Sequence, residues 1–259
     1  MQIVEQQQLD KRFAIYERLH AAMEKSLPGG VELLIFEGEF YTRYAWDARG
    51  SGFADTVTPQ GWKLFQERLV IARKALEKAY EMQPDNPLPA TDMISICMGM
   101  GDEPAETQRW FDRALAADPD NEQAVVRMLM YLEPKWHGSP AAMAALVERL
   151  AATHNYRGKM PLAMVKFHRT IATYQPSHDA YLARPEVWPQ MQSVFESYLV
   201  LFPFDRSERT AYAINCVQAS KWDLANTQFQ ILGDQPWPGI FREGDYNYSR
   251  KMAREHLGQ

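Results

Sequence analysis

The sequence predicts an all-α protein made of antiparallel helix pairs that stack side by side. The first observation is an eleven-residue string at positions 76–86 that returns in altered form at 111–121, an offset of 35 residues. Both copies are amphipathic and end in Pro-Asp-Asn. A unit of this length cannot bury its own apolar face and must pack against neighbouring units. The second observation is that proline, glycine and capping residues divide nearly the whole chain into segments of helical length.

The internal register of the two copies indicates the type of repeat. In the tetratricopeptide (TPR) pattern of about 34 residues, the second helix of each pair carries small, aromatic or leucine, and small residues at fixed spacing before a proline. Those places hold Ala72, Leu76, Ala79 and Pro84 in the first copy, then Thr107, Phe111, Ala114 and Pro119 in the second. Ala225 and Phe229 form a third, partial match. The alternative is two unrelated amphipathic helices, and the shared register favours a TPR-like α-solenoid.

The helices are predicted from apolar spacing and from capping residues. Apolar residues three and four apart predict helices at 4–23 and 31–49, although 31–36 also fits a strand. Thr58 and Pro59 begin the longest helix, which runs to Met82, as an N-cap followed by proline in the first turn. The stretch 174–184 is predicted to be a polar loop. Similar breaks bound the other segments and give about 11–12 helices in total, at 86–101, 104–117, 121–134, 139–153, 161–174, 185–201, 207–220, 222–232 and 240–257.

No low-complexity linker separates two halves of the chain, which favours a single TPR-like helical-repeat domain over residues 1–259. Within it, residues 1–57 are predicted to form divergent N-terminal helices and residues 58–155 the clearest repeats. Residues 156–259 are predicted to form degenerate repeats that end in a capping helix.

Composition and charge favour a cytoplasmic protein that binds neither nucleic acid nor membrane. The net charge is −5 and the pI is near 5.7, whereas a nucleic-acid-binding protein shows a basic face. The polar N-terminus lacks the apolar core of a signal peptide, and no apolar stretch approaches the length of a membrane span. Cys97 and Cys216 each lie in an apolar helical pattern, as expected of reduced, buried thiols.

Two groups of residues are candidates for a partner-binding surface. The first contains Tyr41, Tyr44, Trp46 and Arg49, together with Asp47. Aromatic rings and arginine are enriched among the residues that anchor protein interfaces. An alternative is that this group packs a helix end, with Arg49 paired to Asp47, Asp55 or a helix terminus.

The second group is Trp136 and His137, in the turn between the helices at 121–134 and 139–153. This turn is predicted either to present both side chains to a partner or to fold Trp136 back between helices. In the second case Gly138 supplies a positive φ.

No catalytic, metal-binding or cofactor-binding motif is present. The six histidines are scattered and are best explained as surface residues, with His168 and His178 the only two that a loop would bring together. There is no G-x-S-x-G sequence, no P-loop and no H-E-x-x-H sequence. Neither cysteine has a neighbouring histidine in the sequence. These features predict a protein that is not an enzyme and that has no metal or cofactor.

The chain also resembles a bacterial family of TPR-like proteins whose shared domain has no assigned function. The resemblance is carried by residues 45–57, by residues 135–139, and by Trp222, Ala225 and Phe229. These stretches span most of residues 40–232. The resemblance implies a helical-repeat fold and a bacterial origin, and it implies no particular activity.

A helical array favours a non-catalytic protein–protein interaction module, that is, an adaptor or scaffold. It would bind a protein or peptide segment in the groove lined by the first helix of each pair. One alternative is a dedicated immunity protein or secretion chaperone for a single partner. Another is an enzyme whose site is assembled only in three dimensions. The sequence identifies neither the partner nor the oligomeric state.

Overall fold

A computed structural model describes residues 2–240 and 244–258 of the chain. In these ranges the protein contains thirteen α-helices, two short 3₁₀ helices and no β-strand, so the predicted all-α class is confirmed. By its internal contacts the chain divides into an N-terminal unit, Met1–Ser139, and a C-terminal unit, Pro140–Gln259. The single continuous domain stays a prediction, and each unit is described by itself.

The N-terminal unit contains six α-helices within the described residues and a 3₁₀ helix at Ala54–Thr56. The α-helices are α1 (Gln2–Ser26), α2 (Val31–Arg49), α3 (Pro59–Met82), α4 (Pro87–Met100), α5 (Pro104–Ala117) and α6 (Glu122–Tyr131). Within the described part of the C-terminal unit lie seven α-helices and a 3₁₀ helix at Met160–Leu162. They are α7 (Pro140–Ala151), α8 (Ala163–Ala172), α9 (His178–Leu182), α10 (Trp188–Leu201), α11 (Arg206–Gln218), α12 (Trp222–Leu232) and α13 (Asp245–His256).

Side-chain caps begin three helices of the N-terminal unit, α3, α4 and α6. The Thr58 hydroxyl accepts from the Gly61 N–H at 3.0 Å, and Pro59 occupies the first turn of α3. Asn86 caps α4 by accepting from the Leu88 N–H at 3.1 Å. Asn121 caps α6 by accepting from the Ala124 N–H at 3.0 Å. Each cap satisfies a donor that the first turn of a helix leaves without an intrahelical acceptor.

The repeated string folds in the same way twice. After α3 the Gln83 N–H donates to the Ala79 carbonyl at 3.0 Å, and after α5 the Asp118 N–H donates to the Ala114 carbonyl at the same distance. The next bond in each copy closes the turn, from the Asn86 N–H to Gln83 and from the Asn121 N–H to Asp118, both at 3.1 Å. The two Pro-Asp-Asn endings are therefore equivalent turns that lead from one helix pair into the next.

The repeat positions form the core of the N-terminal unit. Leu76 on α3 and Phe111 on α5 are both fully buried, as are the small residues that precede and follow them in each repeat, Ala72, Ala79, Thr107 and Ala114. The helix α2 packs against α3, and α4 packs against α5, as the pairing of first and second helices requires. The first helices α2, α4 and α6 are also successive neighbours, since α4 contacts both α2 and α6.

A glycine allows the closest approach within the first pair. A β-carbon added at Gly38 of α2 would lie 2.4 Å from the Cγ of Leu76 on α3, well inside van der Waals contact. Gly38 is therefore required by packing, and its helical position carries no left-handed backbone angle.

The C-terminal unit shows the third, partial match in a similar setting. Ala225 and Phe229 of α12 are fully buried, and α12 packs on α11, which buries Tyr212 and Ala213. The last helix, α13, packs on α12, where the Tyr246 hydroxyl donates to the Gly233 carbonyl at 2.7 Å. The charged residues of α13 lie on its exposed or half-buried positions, which fits the predicted capping helix.

The structure adds one helix that the sequence did not predict, and it begins the last helix later than predicted. The predicted polar loop at 174–184 contains the five-residue helix α9, which Ser177 caps and which buries Tyr181 and Leu182. One turn of helix is too short to show a 3.6-residue apolar period, so the described residues hold one helix more than the upper expectation of about 12. The predicted helix at 240–257 begins at Asp245 within the described range, and its residues 241–243 lie outside that range.

If the side chains at the repeat positions form the core, replacing them by alanine should lower the free energy of unfolding far more than replacing an exposed leucine. We expect Phe111→Ala to lower the free energy of unfolding by about 3–5 kcal/mol and Leu76→Ala by about 2–5 kcal/mol, because each leaves a cavity. The control is Leu88→Ala, whose side chain is half exposed and which should change stability by less than about 1 kcal/mol. Urea unfolding followed by circular dichroism measures all three. Equal costs at Leu76 and Leu88 would contradict the repeat packing.

Candidate binding pocket

A cavity of the N-terminal unit lies where the three first helices end. Arg49 is the last residue of α2, Met100 the last of α4 and Tyr131 the last of α6. An open pocket of about 910 Å³ lies at these ends. The α2–α3 connection, the start of α3 and the turn that follows α6 complete the wall of the pocket. The residues that line the pocket are Arg49, 51–54, Trp62, Phe65, 98–101, Met130 and 135–137.

The Arg49 guanidinium is surrounded by three tryptophan rings. Its central carbon lies 5.6 Å from the ring centre of Trp46, 5.5 Å from that of Trp62 and 5.1 Å from that of Trp136. All three distances are within the range of a cation–π interaction, which strengthens when the site is shielded from water. One terminal nitrogen, Nη1, also donates to the carbonyls of Gly50 at 3.2 Å and Gly52 at 3.0 Å. Arg49 is thus held in place by its own connection and by the rings.

The rings also pack against one another. Trp46 and Trp136 meet edge to face, with centres 5.5 Å apart and planes at 88°. Trp46 and Trp62 each meet the fully buried Phe65 in the same way, at 4.9 and 5.8 Å. Aromatic pairs in this geometry add stabilisation beyond the area that they bury. The aromatic wall therefore joins the end of α2, the start of α3 and the turn after α6 into one packed group.

The turn after α6 is shaped by Gly138. A β-carbon at this residue would lie 2.3 Å from the carbonyl oxygen of Leu132, so only glycine allows the turn to close so tightly. The role of Gly138 is this close approach, and the alternative of a positive φ is wrong. The turn presents His137, whose Nε2 donates to the Met98 carbonyl of α4 at 2.9 Å and whose ring stacks on Tyr131. His137 thereby ties the turn to the end of α4.

The ionisable side chains that line the pocket are all basic. They are Arg49, Lys135 and His137, and no aspartate or glutamate lines it. Lys135 has a nearby carboxylate, because Glu133 lies 2.9 Å from its ammonium group. Arg49, by contrast, has no ion-pair partner in the part of the chain that the structure describes. The pocket wall therefore holds one guanidinium charge without a counter-charge.

Three of the six predicted site residues, Arg49, Trp136 and His137, line this pocket, although Arg49 and the other two are nearly 90 positions apart in the sequence. A fourth, Trp46, does not line the pocket but packs against Arg49 and Trp136. The predicted alternative for Trp136, folding back against other helices, is also realised in part, because its ring packs on Trp46 and is half-buried. An Arg49–Asp47 pair does not form, since Asp47 binds Arg12 of α1 at 2.5 Å instead.

Tyr41 and Tyr44 do not belong to the pocket. They pack around Phe40 of α2 and, for Tyr41, against Tyr16 of α1, with ring centres 5.4 to 6.4 Å apart. Arg68 of α3 covers the Tyr44 ring at 3.2 Å and donates to the Tyr44 carbonyl at 2.6 Å. The geometry of α2 explains why Tyr44 lies away from Arg49. The two residues are five positions apart, so their side chains differ by about 140° around the helix axis. The sequence grouped residues that point to different sides of α2.

Several pocket residues were not predicted from the sequence. Trp62 is half-buried at the start of α3 and lines the pocket, and Phe53 is 77% exposed in the α2–α3 connection. Met130 of α6 is 42% exposed at the same pocket. No local pattern marks these residues, since only the side-by-side stacking of α2, α4 and α6 brings them together.

The first helices α4 and α6 are also joined by a polar network, whose residues do not line the pocket. The guanidinium of Arg127 binds the Asp92 carboxylate, and it also donates to the Thr91 carbonyl at 3.1 Å. The Asn121 amide donates to the Thr91 hydroxyl at 2.8 Å. Burial raises the pKa of Asp92 and outweighs the neighbouring Arg127, which lowers it, so the pKa lies above its ordinary value. This network links α6 to α4.

The remaining candidates for reactive groups are buried and held by neighbours. His168 is buried, contrary to the expectation of a surface histidine, and its ring nitrogens lie 3.1 Å from the Tyr181 hydroxyl and 3.4 Å from the Gln190 side-chain oxygen. Burial lowers the pKa of His168. Burial, aided by Asp102, raises the pKa of the Cys97 thiol to about 12, and burial with Glu196 raises the pKa of the Cys216 thiol.

Within residues 2–240 and 244–258, no three His, Cys, Asp or Glu side chains are grouped so that they could hold a metal ion. None of the described helices combines the length and the apolar character needed to cross a bilayer. No model of a known protein family matches the chain, and neither a curated protein sequence nor a solved structure shows significant similarity to it. The geometry of the pocket is therefore the basis for assigning its function.

The two thiols should resist alkylation in the folded protein. At about pH 8 we expect iodoacetamide to label neither Cys97 nor Cys216 until the protein is unfolded in concentrated guanidinium, because both are buried and protonated. Since an unfolded thiol loses its proton above about pH 8.5 while the folded one keeps it, stability should fall as the pH rises above that value. Mass spectrometry counts the labels, and Cys216→Ser isolates the Cys97 signal. Rapid labelling of the native protein would show that the thiols are accessible.

Proposed function

We propose that this protein is a non-catalytic, TPR-like interaction module of the cytoplasm. In this proposal the pocket at the ends of α2, α4 and α6 receives an anchor residue from a protein or peptide partner. The observation that carries the proposal is the Arg49 guanidinium, which three tryptophan rings surround at the wall of an open pocket. Tryptophan and arginine are the residues most enriched at the energetic centres of protein interfaces.

The pocket is prepared for binding before a partner arrives. Its rings pack on each other and on Phe65, and Arg49 is held by the carbonyls of Gly50 and Gly52, so few side-chain conformations remain to be fixed. Ordering a flexible side chain on binding costs about 0.5–1.5 kcal/mol, and a rigid wall avoids that cost. This arrangement supports recognition of a partner segment rather than a loose surface contact.

The apolar rim of the pocket is suited to a chain that passes across it. Phe53 in the α2–α3 connection and Met130 on α6 are both exposed, at 77% and 42%, and belong to different elements. Methionine adapts its shape to the side chains that it meets, and exposed aromatic rings provide contact area. A segment that anchors beside Arg49 could therefore gain apolar contacts with both residues.

The state of the other reactive side chains supports a role without catalysis. A nucleophilic cysteine requires a lowered pKa, whereas burial raises the pKa of both thiols here. A general base requires access to substrate, whereas His168 is buried between Tyr181 and Gln190.

The two free, buried thiols also support a reducing compartment such as the cytoplasm. The equivalent turns after α3 and α5 support membership of a TPR-like family.

The proposal predicts that short peptides suffice for binding. From a phage library of random dodecapeptides, the immobilised protein should enrich peptides that bind with micromolar Kd, a typical strength for a single anchor with few neighbours. Arg49→Gln should raise the Kd of the enriched peptides by about tenfold or more, because a charged hydrogen-bond donor is lost. Isothermal titration measures each Kd with a synthetic copy of the peptide.

The matched control is Arg113→Gln. Arg113 also lies over two aromatic rings, Tyr80 at 4.8 Å and Trp110 at 4.4 Å, but it does not line the pocket. The control should bind the peptides like the original protein, and circular dichroism checks that both variants are folded. A library that yields no peptide dependent on Arg49 would refute the proposed function.

A further inference from the structure

We infer that the anchor bound by the pocket is an acidic side chain, an aspartate or glutamate, next to an apolar residue in the partner segment. The inference rests on the proposed function and specifies the chemistry of its partner. In the bound state the carboxylate would accept hydrogen bonds from Arg49, and the apolar neighbour would lie against the tryptophan and methionine side chains of the pocket.

The first argument is that the hydrogen-bonding capacity of Arg49 is mostly unused. A guanidinium carries five N–H donors. Only Nη1 makes hydrogen bonds within the described residues, to the Gly50 and Gly52 carbonyls, so that Nη2 and Nε have no acceptor there. The side chain is half-buried against three rings and has no carboxylate partner among the same residues. A partly desolvated charge without a counter-charge is unfavourable, and an incoming anion relieves that cost.

A second unused donor lies in the same wall. The indole N–H of Trp136 is buried and has no hydrogen-bond acceptor in the described part of the chain. Trp136 packs on the Arg49 guanidinium and on Trp46, so the two unused donors belong to adjacent side chains. Because unused donors are present and no acidic residue lines the pocket, the missing group is an acceptor that carries negative charge.

The charge balance favours a carboxylate over a phosphate. The guanidinium of Arg49 is the lining charge without a counter-charge in the described residues, since Lys135 has Glu133 beside it at 2.9 Å. The C-terminal ends of α2, α4 and α6 carry partial negative charge, which opposes a doubly charged group more strongly than a singly charged one. The planar edge of one guanidinium matches the two oxygens of one carboxylate.

The rim favours a side chain within a segment over the free carboxyl end of a chain. Exposed apolar residues flank the pocket on two different elements, Phe53 before α3 and Met130 on α6. A segment that continues in both directions contacts both residues, whereas a chain end at Arg49 would leave one of them without a contact. The acidic residue is therefore expected to be internal.

Two small probes that differ only in charge test the carboxylate. Titration of the whole protein with 3-phenylpropionate, followed by tryptophan fluorescence, should give a Kd in the millimolar range, as expected for a ligand of this size. The uncharged 3-phenylpropionamide should bind about tenfold more weakly or worse, because it lacks the charge-assisted bonds to Arg49. Added salt should weaken binding of the carboxylate and not of the amide.

Variants assign the difference to Arg49. Arg49→Gln should bind the two probes equally, while Arg49→Lys and the control Arg113→Gln should still prefer the carboxylate. Equal binding of both probes to the unchanged protein would overturn the inference, and so would the absence of any binding. This measurement needs no variant, so it stands even if Arg49→Gln fails to fold.

The display library separates this inference from the proposed function. When peptides are joined to the coat protein through their C-terminus, any carboxylate that they offer is a side chain. Enriched peptides that carry Asp or Glu beside an apolar residue support the inference. Enriched peptides without an acidic residue leave the proposed function in place and overturn the inference.

Discussion

The N-terminal unit depends on the burial of one face of each second helix between two first helices. Leu76 shows the constraint most directly, because it is fully buried and meets α2 where Gly38 leaves no room for a β-carbon. Phe111 occupies the equivalent place in α5, 35 residues later. Since neither helix can bury this face alone, each pair requires the next, and the spacing of the pairs follows from the size of these side chains.

The pocket is a consequence of this stacking. Helices that alternate in direction place all first helices in the same direction, so α2, α4 and α6 end on one side of the unit. Carbonyl groups at helix ends lack intrahelical donors and favour a nearby cation. Arg49 fits that environment through Gly50 and Gly52, and the tryptophan rings shield it from water. These carbonyls use only one nitrogen of the guanidinium, and no carboxylate among the described residues pairs with it, so Arg49 remains available to a ligand at the open pocket.

The sequence predicted the elements of the fold better than the site. The caps at Thr58, Asn86 and Asn121 and the repeat register depend on neighbours within a few residues, and such local signals are readable. The five-residue helix α9 was missed because one turn shows no period. Trp46 and Trp136 were each singled out, but their contact joins residues on α2 and after α6, and nothing local encodes it. Tyr41 and Tyr44 were grouped by proximity in sequence, although the turn of the helix separates them from Arg49.

The wall of the pocket combines residues from the end of α2 with residues from the turn after α6, so it exists only when the four helices from α3 to α6 are stacked in between. Occupancy and folding of the N-terminal unit are consequently linked equilibria. A ligand present at about a hundred times its Kd adds roughly 2.7 kcal/mol to the stability of a protein that binds it only when folded. Conversely, substitutions that destabilise α5 would lower the affinity for the ligand, although no residue of α5 lines the pocket. Selection for binding would therefore also conserve helices that do not contact the ligand.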